Sequence, residues 1–420
     1  MKEIDVSSIE RWRGLIERCA LSQSNDGAYF NYFSRLLREL AQQKPDLAIT
    51  LLEKQSPQLA GFLGDLLYGF ETSRLGDDVM QIVDGWIEQG KYLSAIARYL
   101  WRPKRFDAKR LERTLDAAVE DGDSLGVFVC LRSAAENVLD HPELLQTVML
   151  PAISFLVDAG VSRWVEQVAF SKGGLKCLTT LSAADADLIL EALALSPAIS
   201  NWEEEILARI IKNYPQKFVA FFERRLEIGE ADDVASVYDA VPFEFHVLTA
   251  HVESIAEMLV SAGRRWFGEN DELFQFRGGA VIARLFPKTA DIEEELGRYV
   301  SDGDRSDLEF VIEVLRAYSD GASSTSPIGR DIVAKLASDD ALLVDVGIII
   351  EQSGMLSGEF GGVEAKATKR DYMRSWLADP REVVRQFAET QIRDLERAMA
   401  ADQRRSMEGL QLRKRNWGAA

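Results

Sequence analysis

Three histidines stand in the 420-residue chain, and two of them, His246 and His251, share the stretch FEFHVLTAHVE. Paired imidazoles hold zinc when they sit four residues apart on one helix face with a glutamate beside the first. Here they are five apart, about 500° around a helix, and point to different sides. His141 is distant in sequence. A calcium loop needs carboxylates at its first, third and twelfth positions and a glycine at the sixth. DGDRSDLEFVIE offers Asp302, Asp304 and Glu313 but has Asp307 at the sixth position, and its second half has helical spacing. It reads as an acidic turn that caps a helix. Phosphate cradles of the GxxxxGK[ST] or GxGxxG kind do not occur, and SKGGLKCLTT around Gly173 lacks their spacing. Cys19, Cys130 and Cys177 form no CxxC pair, and Cys130 sits in the apolar run VFVCLRS. Buried thiols in a reducing compartment are the reading. No catalytic group, metal or cofactor is expected.

Docking chemistry is better represented. Large aromatics anchor protein interfaces, and arginines meet acidic partners. Trp266 and Phe267 lie in GRRWFGEN, and Phe274 and Phe276 in ELFQFRGG. The tail RRSMEGLQLRKRNW adds Arg404, Arg405, Arg413, Lys414, Arg415 and Trp417. These ten residues are the candidate partner-binding set. Residues 381–420 hold 9 Lys+Arg against 6 Asp+Glu, so this end is +3 while the whole chain is −19. A second basic segment, RYLWRPKRFDAKR, carries Arg98, Arg102, Lys104 and Arg105 around Trp101. The overall negative charge disfavours a nucleic-acid partner, because phosphates are repelled except at a local basic patch.

The elements that position these residues are helical throughout. DAKRLERTLDAAVE puts Leu111, Leu115, Ala118 and Val119 on one face, and EEEILARIIKNY does so with Ile206, Leu207, Ile210 and Ile211. Period-two alternation never persists. Turns recur as acidic or small clusters: Gly90, Gly122, Gly160, Gly229 and Gly303 follow one another at 32, 38, 69 and 74 residues. Glycine suits helix ends that need positive φ. The two long gaps hold further markers at Pro197 and Gly268, and Asp339–Asp340 and Asp379–Pro380 continue the series. VEDGDSLGVFVCLR from Val119 and VSDGDRSDLEFVIEVLR from Val300 look like two copies of one unit. A period of about 32–40 residues holding two helices marks an α-solenoid. WLADPREVVRQFAETQIRDL resembles the second helix of a HEAT repeat, with Asp379, Arg385, Ala388 and Ile392 at its marker positions. In that family the acidic residue caps or turns, the arginine reaches a neighbouring acidic turn and the alanine permits close packing.

The expected fold is therefore all-α: an irregular HEAT-like α-solenoid of about ten helix pairs. Repeats over 1–320 continue into a C-terminal part over 321–420. That part holds the flexible break SDGASSTSP, a Gly-rich loop over Ser353–Asp371 and a long capping helix from Arg381 to about Arg415. No signal peptide is visible at MKEIDVSSIERW, and no apolar run is long enough to span a bilayer. A cytoplasmic location without membrane partners is expected.

GGAVIARLF, VIEVLRAY, SGEFG, MRSWLADP and VRQFAETQIRDLERAM resemble the C-terminal helical-repeat regions of bacterial anti-phage NTPases of the STAND type. PQLAGFLGDLLYGF and WIEQGKYLSAIARYL are similar to the same regions. The resemblance implies a sensor or adaptor that binds a phage product, or the NTPase or effector subunit of a defence system. The chain itself carries no NTPase or effector motif. Two other readings stay open at this level. One is a HEAT-like nucleic-acid-binding or DNA-repair protein, and the other is a structural subunit of an unrelated bacterial assembly.

Overall fold

The computed structural model describes residues 8–20, 31–53, 57–101, 106–230, 238–269, 278–318, 327–351 and 358–417. Every regular element among them is helical, and the fold is all-α. The chain forms two compact units, Met1–Ser196 and Pro197–Ala420. No helix among the described residues is long and apolar enough to cross a membrane.

In the first unit, the helices Asn31–Gln43, Leu63–Phe70, Leu93–Tyr99 and Ser124–Asn137 each pack on the next of that series. Gly76–Glu88 and Ala108–Glu120 interleave with them in sequence and pack on each other. The periodic apolar face supplies the contact: Leu111, Leu115 and Ala118 are buried, while Val119 turns outward. Polar links tie a helix to the one above it. The Ser133 hydroxyl donates to the Ala97 carbonyl at 2.6 Å, and the Asn137 amide to that of Trp101 at 3.1 Å, each spanning 36 residues.

The second unit has the same habit. Gly279–Leu285, Arg305–Arg316 and Leu342–Glu351 make one series, and Ala256–Glu269, Glu293–Asp302, Pro327–Lys335 and Glu382–Trp417 the other. Polar links again join helices 32 to 43 residues apart. The Tyr318 hydroxyl donates to the Phe286 carbonyl at 2.8 Å across 32 residues, and Arg305 meets Asp340 at 2.7 Å across 35. Arg264 meets Asp307 at 2.6 Å across 43.

The acidic turns are helix caps. Asp123 accepts from the Gly126 amide at 2.9 Å, and Asp304 forms a reciprocal box with Asp307. The look-alike segments at 119 and 300 thus share a cap, and the calcium-like spacing is that cap. Gly90, Gly122 and Gly160 have φ of +65°, +67° and +71°, as helix ends require. Gly303 instead has φ −81°. Its smallness serves a close approach, because a Cβ there would fall 2.3 Å from the Tyr299 carbonyl oxygen. Gly229 and Gly268 lie inside helices rather than in turns.

Gly122 isolates the backbone effect, since a Cβ would meet nothing within 4 Å. Gly122→Ala should therefore lower stability by about 1 kcal/mol through left-handed strain alone, read as a shift in the urea midpoint.

Two further expectations need correction. The Gly-rich segment over Ser353–Asp371 is helical from Gly361, as the first part of Gly361–Trp376. Gly361 and Gly362 sit in its first turn, and the glutamate, alanine and lysines that follow are strong helix formers. Residues 319–326 of the second expected break lie outside the described residues. Arg385 does not reach a neighbouring acidic turn. Its guanidinium donates to the carbonyls of Asp379 and Pro380 at 2.8 Å, closing its own turn. The long terminal helix matches expectation as Glu382–Trp417, with Val384, Phe387, Ala388 and Leu395 buried.

Candidate interaction surface

One segment of the second unit breaks the helical rule. Between Tyr238 and Val247 no α-helix forms, and Pro242 stands in the middle. An irregular segment leaves its backbone groups without helical partners, and something must satisfy them. Three ionic side chains from helices do so.

Arg225, on the helix Pro215–Glu230, is fully buried. Its Nε donates to the Ala240 carbonyl at 3.0 Å and its Nη2 to that of Asp239. The guanidinium lies 4.6 Å from the centre of the Tyr238 ring. Burial pulls its pKa below the ordinary arginine value, with the charges of Asp239 and Glu203 opposing. Glu204, on Asn201–Ile211, is buried to 1 % exposure. Its carboxylate accepts from the backbone amides of His246 at 3.0 Å, Val247 at 2.7 Å and Leu248 at 3.0 Å. Three successive amides around one carboxylate form an internal anion nest. Arg284, on Gly279–Leu285, donates to the carbonyls of Val241 and, at 2.6 Å, of Pro242.

The loop so held has an inside and an outside. Phe245 is buried and meets Phe222 edge-on at 5.8 Å. Phe243, two residues earlier, is 82 % exposed, with Arg284 5.8 Å from its ring centre. Glu244 and His246 flank it on the surface. The two arginines and Glu204 are all committed to backbone groups of the loop. The arrangement presents a ring on a rigid mount. Aromatic anchors of this kind contribute strongly to interfaces because little entropy is lost when they dock.

The ten sequence candidates fare differently. Trp266 is buried at 4 % exposure and belongs to the core of the helix Ala256–Glu269. The spacing that makes that helix amphipathic turns it inward. Phe267 is half-buried, 6.0 Å from Phe310. Phe274 and Phe276 lie outside the described residues. Arg404, Arg405 and Arg413 are exposed. Arg404 donates to the Ala400 carbonyl, Arg405 pairs with Asp402 and Arg413 with Glu359. Lys414, Arg415 and Trp417 close the helix, and their side chains lie outside the described residues.

Of the second basic segment, residues 102–105 are outside the described residues. Arg110 is committed to Asp84 and Asp107, and Arg132 stacks 3.7 Å from the Trp101 ring centre. Cys130 and Cys177 are both buried, and burial pushes their thiols up, that of Cys177 to about 11. The side chain of Cys19 lies outside the described residues. No cluster of metal-binding side chains occurs among the described residues.

Comparison with known protein families, with curated proteins and with solved structures returns no match.

Proposed function

We propose that the chain is a non-catalytic protein-interaction module of HEAT-like helical repeats, and that the loop around Phe243 is its contact element. One observation carries this reading: three ionic side chains, Arg225 and Glu204 buried and Arg284 half-buried, hold a single irregular loop whose tip ring stays 82 % exposed. The repeat character is supported by polar links recurring at 32 to 43 residues. The resemblance to anti-phage repeat regions supports placing the module as a sensor or adaptor in a bacterial defence system. The partner is then a phage product or a defence-system subunit. The charge of −19 favours a protein over a nucleic acid.

The test compares the tagged chain with its Phe243→Ala variant in pull-downs from the host, with and without phage. A surface ring contributes little to stability, so both proteins should melt within about 0.5 kcal/mol of each other. The expected result is a stoichiometric protein held by the parent chain and weakened at least tenfold in the variant, about 1.4 kcal/mol or more. Equal capture by both would remove the loop as the contact. Unchanged phage sensitivity after deletion of the gene would remove the defence assignment, and co-purifying nucleic acid without protein would reverse the partner class.

A further inference from the structure

A second surface shares no residue with the Phe243 loop. It is a groove of about 590 Å³ between the helix Leu342–Glu351 and the first third of Glu382–Trp417. Val344 and Ile348, one helical turn apart, are 66 % and 48 % exposed on its wall. Four carboxylates line it, those of Asp339, Asp340, Glu351 and Asp394; Arg305 pairs with Asp340 and Arg397 with Asp394 from outside the lining, so four acids stand against these two cations. Gln391 lies in it at 8 % exposure, and its Oε1 has no hydrogen-bond partner. A buried amide oxygen without a donor is costly. Gly347 makes room for that amide: a Cβ there would fall 2.6 Å from Gln391 Nε2. The groove thus suits an apolar segment that carries positive charge.

Such a segment stands at the other end of the same helix. Past Leu395 no described residue of Glu382–Trp417 is buried, although the helix runs on for about 22 residues, roughly 33 Å. Met407 and Leu412 are 50 % and 58 % exposed there. Residues 404–417 hold five Lys+Arg and one acid, Glu408. One unbroken helix cannot fold its end back into a groove walled by its own beginning. The tail that enters must come from another molecule.

We propose that the groove receives the C-terminal tail of a second copy of this chain. Met407 and Leu412 of the tail would cover Val344 and Ile348. Arg404, which has only a backbone carbonyl as partner, would face the groove's carboxylates together with the other tail cations, Arg405 and Arg413 exchanging their own-chain partners for them. Groove and tail are different surfaces, so the contact is heterologous and builds head-to-tail assemblies that close into rings or extend.

Sedimentation velocity of the full chain tests this at about 1–50 μM, in about 50 mM and 500 mM salt, where screening lengths differ severalfold. Assembly beyond the 47.0 kDa chain is expected at low salt, growing with concentration and shrinking at high salt. Ile348→Arg blocks the groove, and Leu412→Glu spoils the tail. Both sites are exposed, so both variants should keep the parental melt. Each variant alone should sediment as a monomer. An equimolar mixture should form a dimer and nothing larger, because one intact groove and one intact tail remain. A monomeric parent chain at 50 μM in low salt overturns the proposal, and so does assembly that persists in Ile348→Arg.

Discussion

Glu204→Ala should destabilise the second unit by about 3 kcal/mol, one of the two largest losses expected from a single substitution here. The carboxylate accepts from three successive backbone amides at 2.7–3.0 Å and is itself buried. Hydrogen bonds to a charged acceptor contribute about 1.5–3 kcal/mol each, and a donor left buried without a partner costs about 1–3 kcal/mol. The full sum is not expected, because a cavity of carboxylate size can admit water to some of the amides. Glu204→Gln should lose less, about 2 kcal/mol, since its amide oxygen still accepts while its NH2 faces other donors. Urea unfolding gives the magnitude. Hydrogen exchange locates it: the Val247 and Leu248 amides should lose protection before the flanking helices do. A loss under about 0.5 kcal/mol, or uniform loss of protection, would show that the loop is held by its apolar side chains instead.

The same substitution separates mounting from contact. Phe243→Ala removes the ring and leaves the loop in place, whereas Glu204→Ala leaves the ring and loosens the loop. If the interface needs a rigid mount, both weaken partner binding, but only Glu204→Ala also lowers stability.

The elements are legible in the sequence where the signal is local. Helix period, acidic caps and glycine ends are written within a few residues, so the all-α class and the caps at Asp123 and Asp304 are readable. So is the uninterrupted helix from Glu382. The contact loop is not legible because its anchors are remote: Arg225 reaches forward across 15 residues, Glu204 forward across 42 and Arg284 back across 42. The local trace is the short alternation Val241–Pro242–Phe243–Glu244–Phe245, in which Phe245 is buried and Phe243 is not. Nothing in that stretch says that it is fixed. Trp266 misleads for the converse reason. Adjacent aromatics on one helix look equally available, but only the helix phase decides which enters the core. The groove hides in ALLVDVGIII, where an apolar residue occupies almost every position. Such a helix announces no outward face, so Val344 and Ile348 cannot be told from their buried neighbours.

Arg225 carries the second large effect, and here the order of two variants matters more than either size. The guanidinium is fully buried, and its favourable contacts include the two carbonyls, the Tyr238 and Phe221 rings and the charges of Asp239 and Glu203. Two effects oppose each other. A buried charge costs several kcal/mol in lost hydration, while two charge-assisted bonds and a stacked ring return a similar amount. Arg225→Met removes both sides: the carbonyls lose their donors, but no charge remains to be buried, and the side chain still fills the space. A loss of about 2 kcal/mol follows. Arg225→Lys keeps the buried charge and loses the planar fork, so one ammonium must serve carbonyls that the fork met together. Its loss should reach about 4 kcal/mol. Lysine should therefore be the worse substitute, although it preserves charge. The Tm of the two variants decides the matter. If the lysine variant proved more stable than the methionine variant, electrostatic attraction to Asp239 and Glu203, rather than the geometry of the fork, would be what holds Asp239 and Ala240 in place.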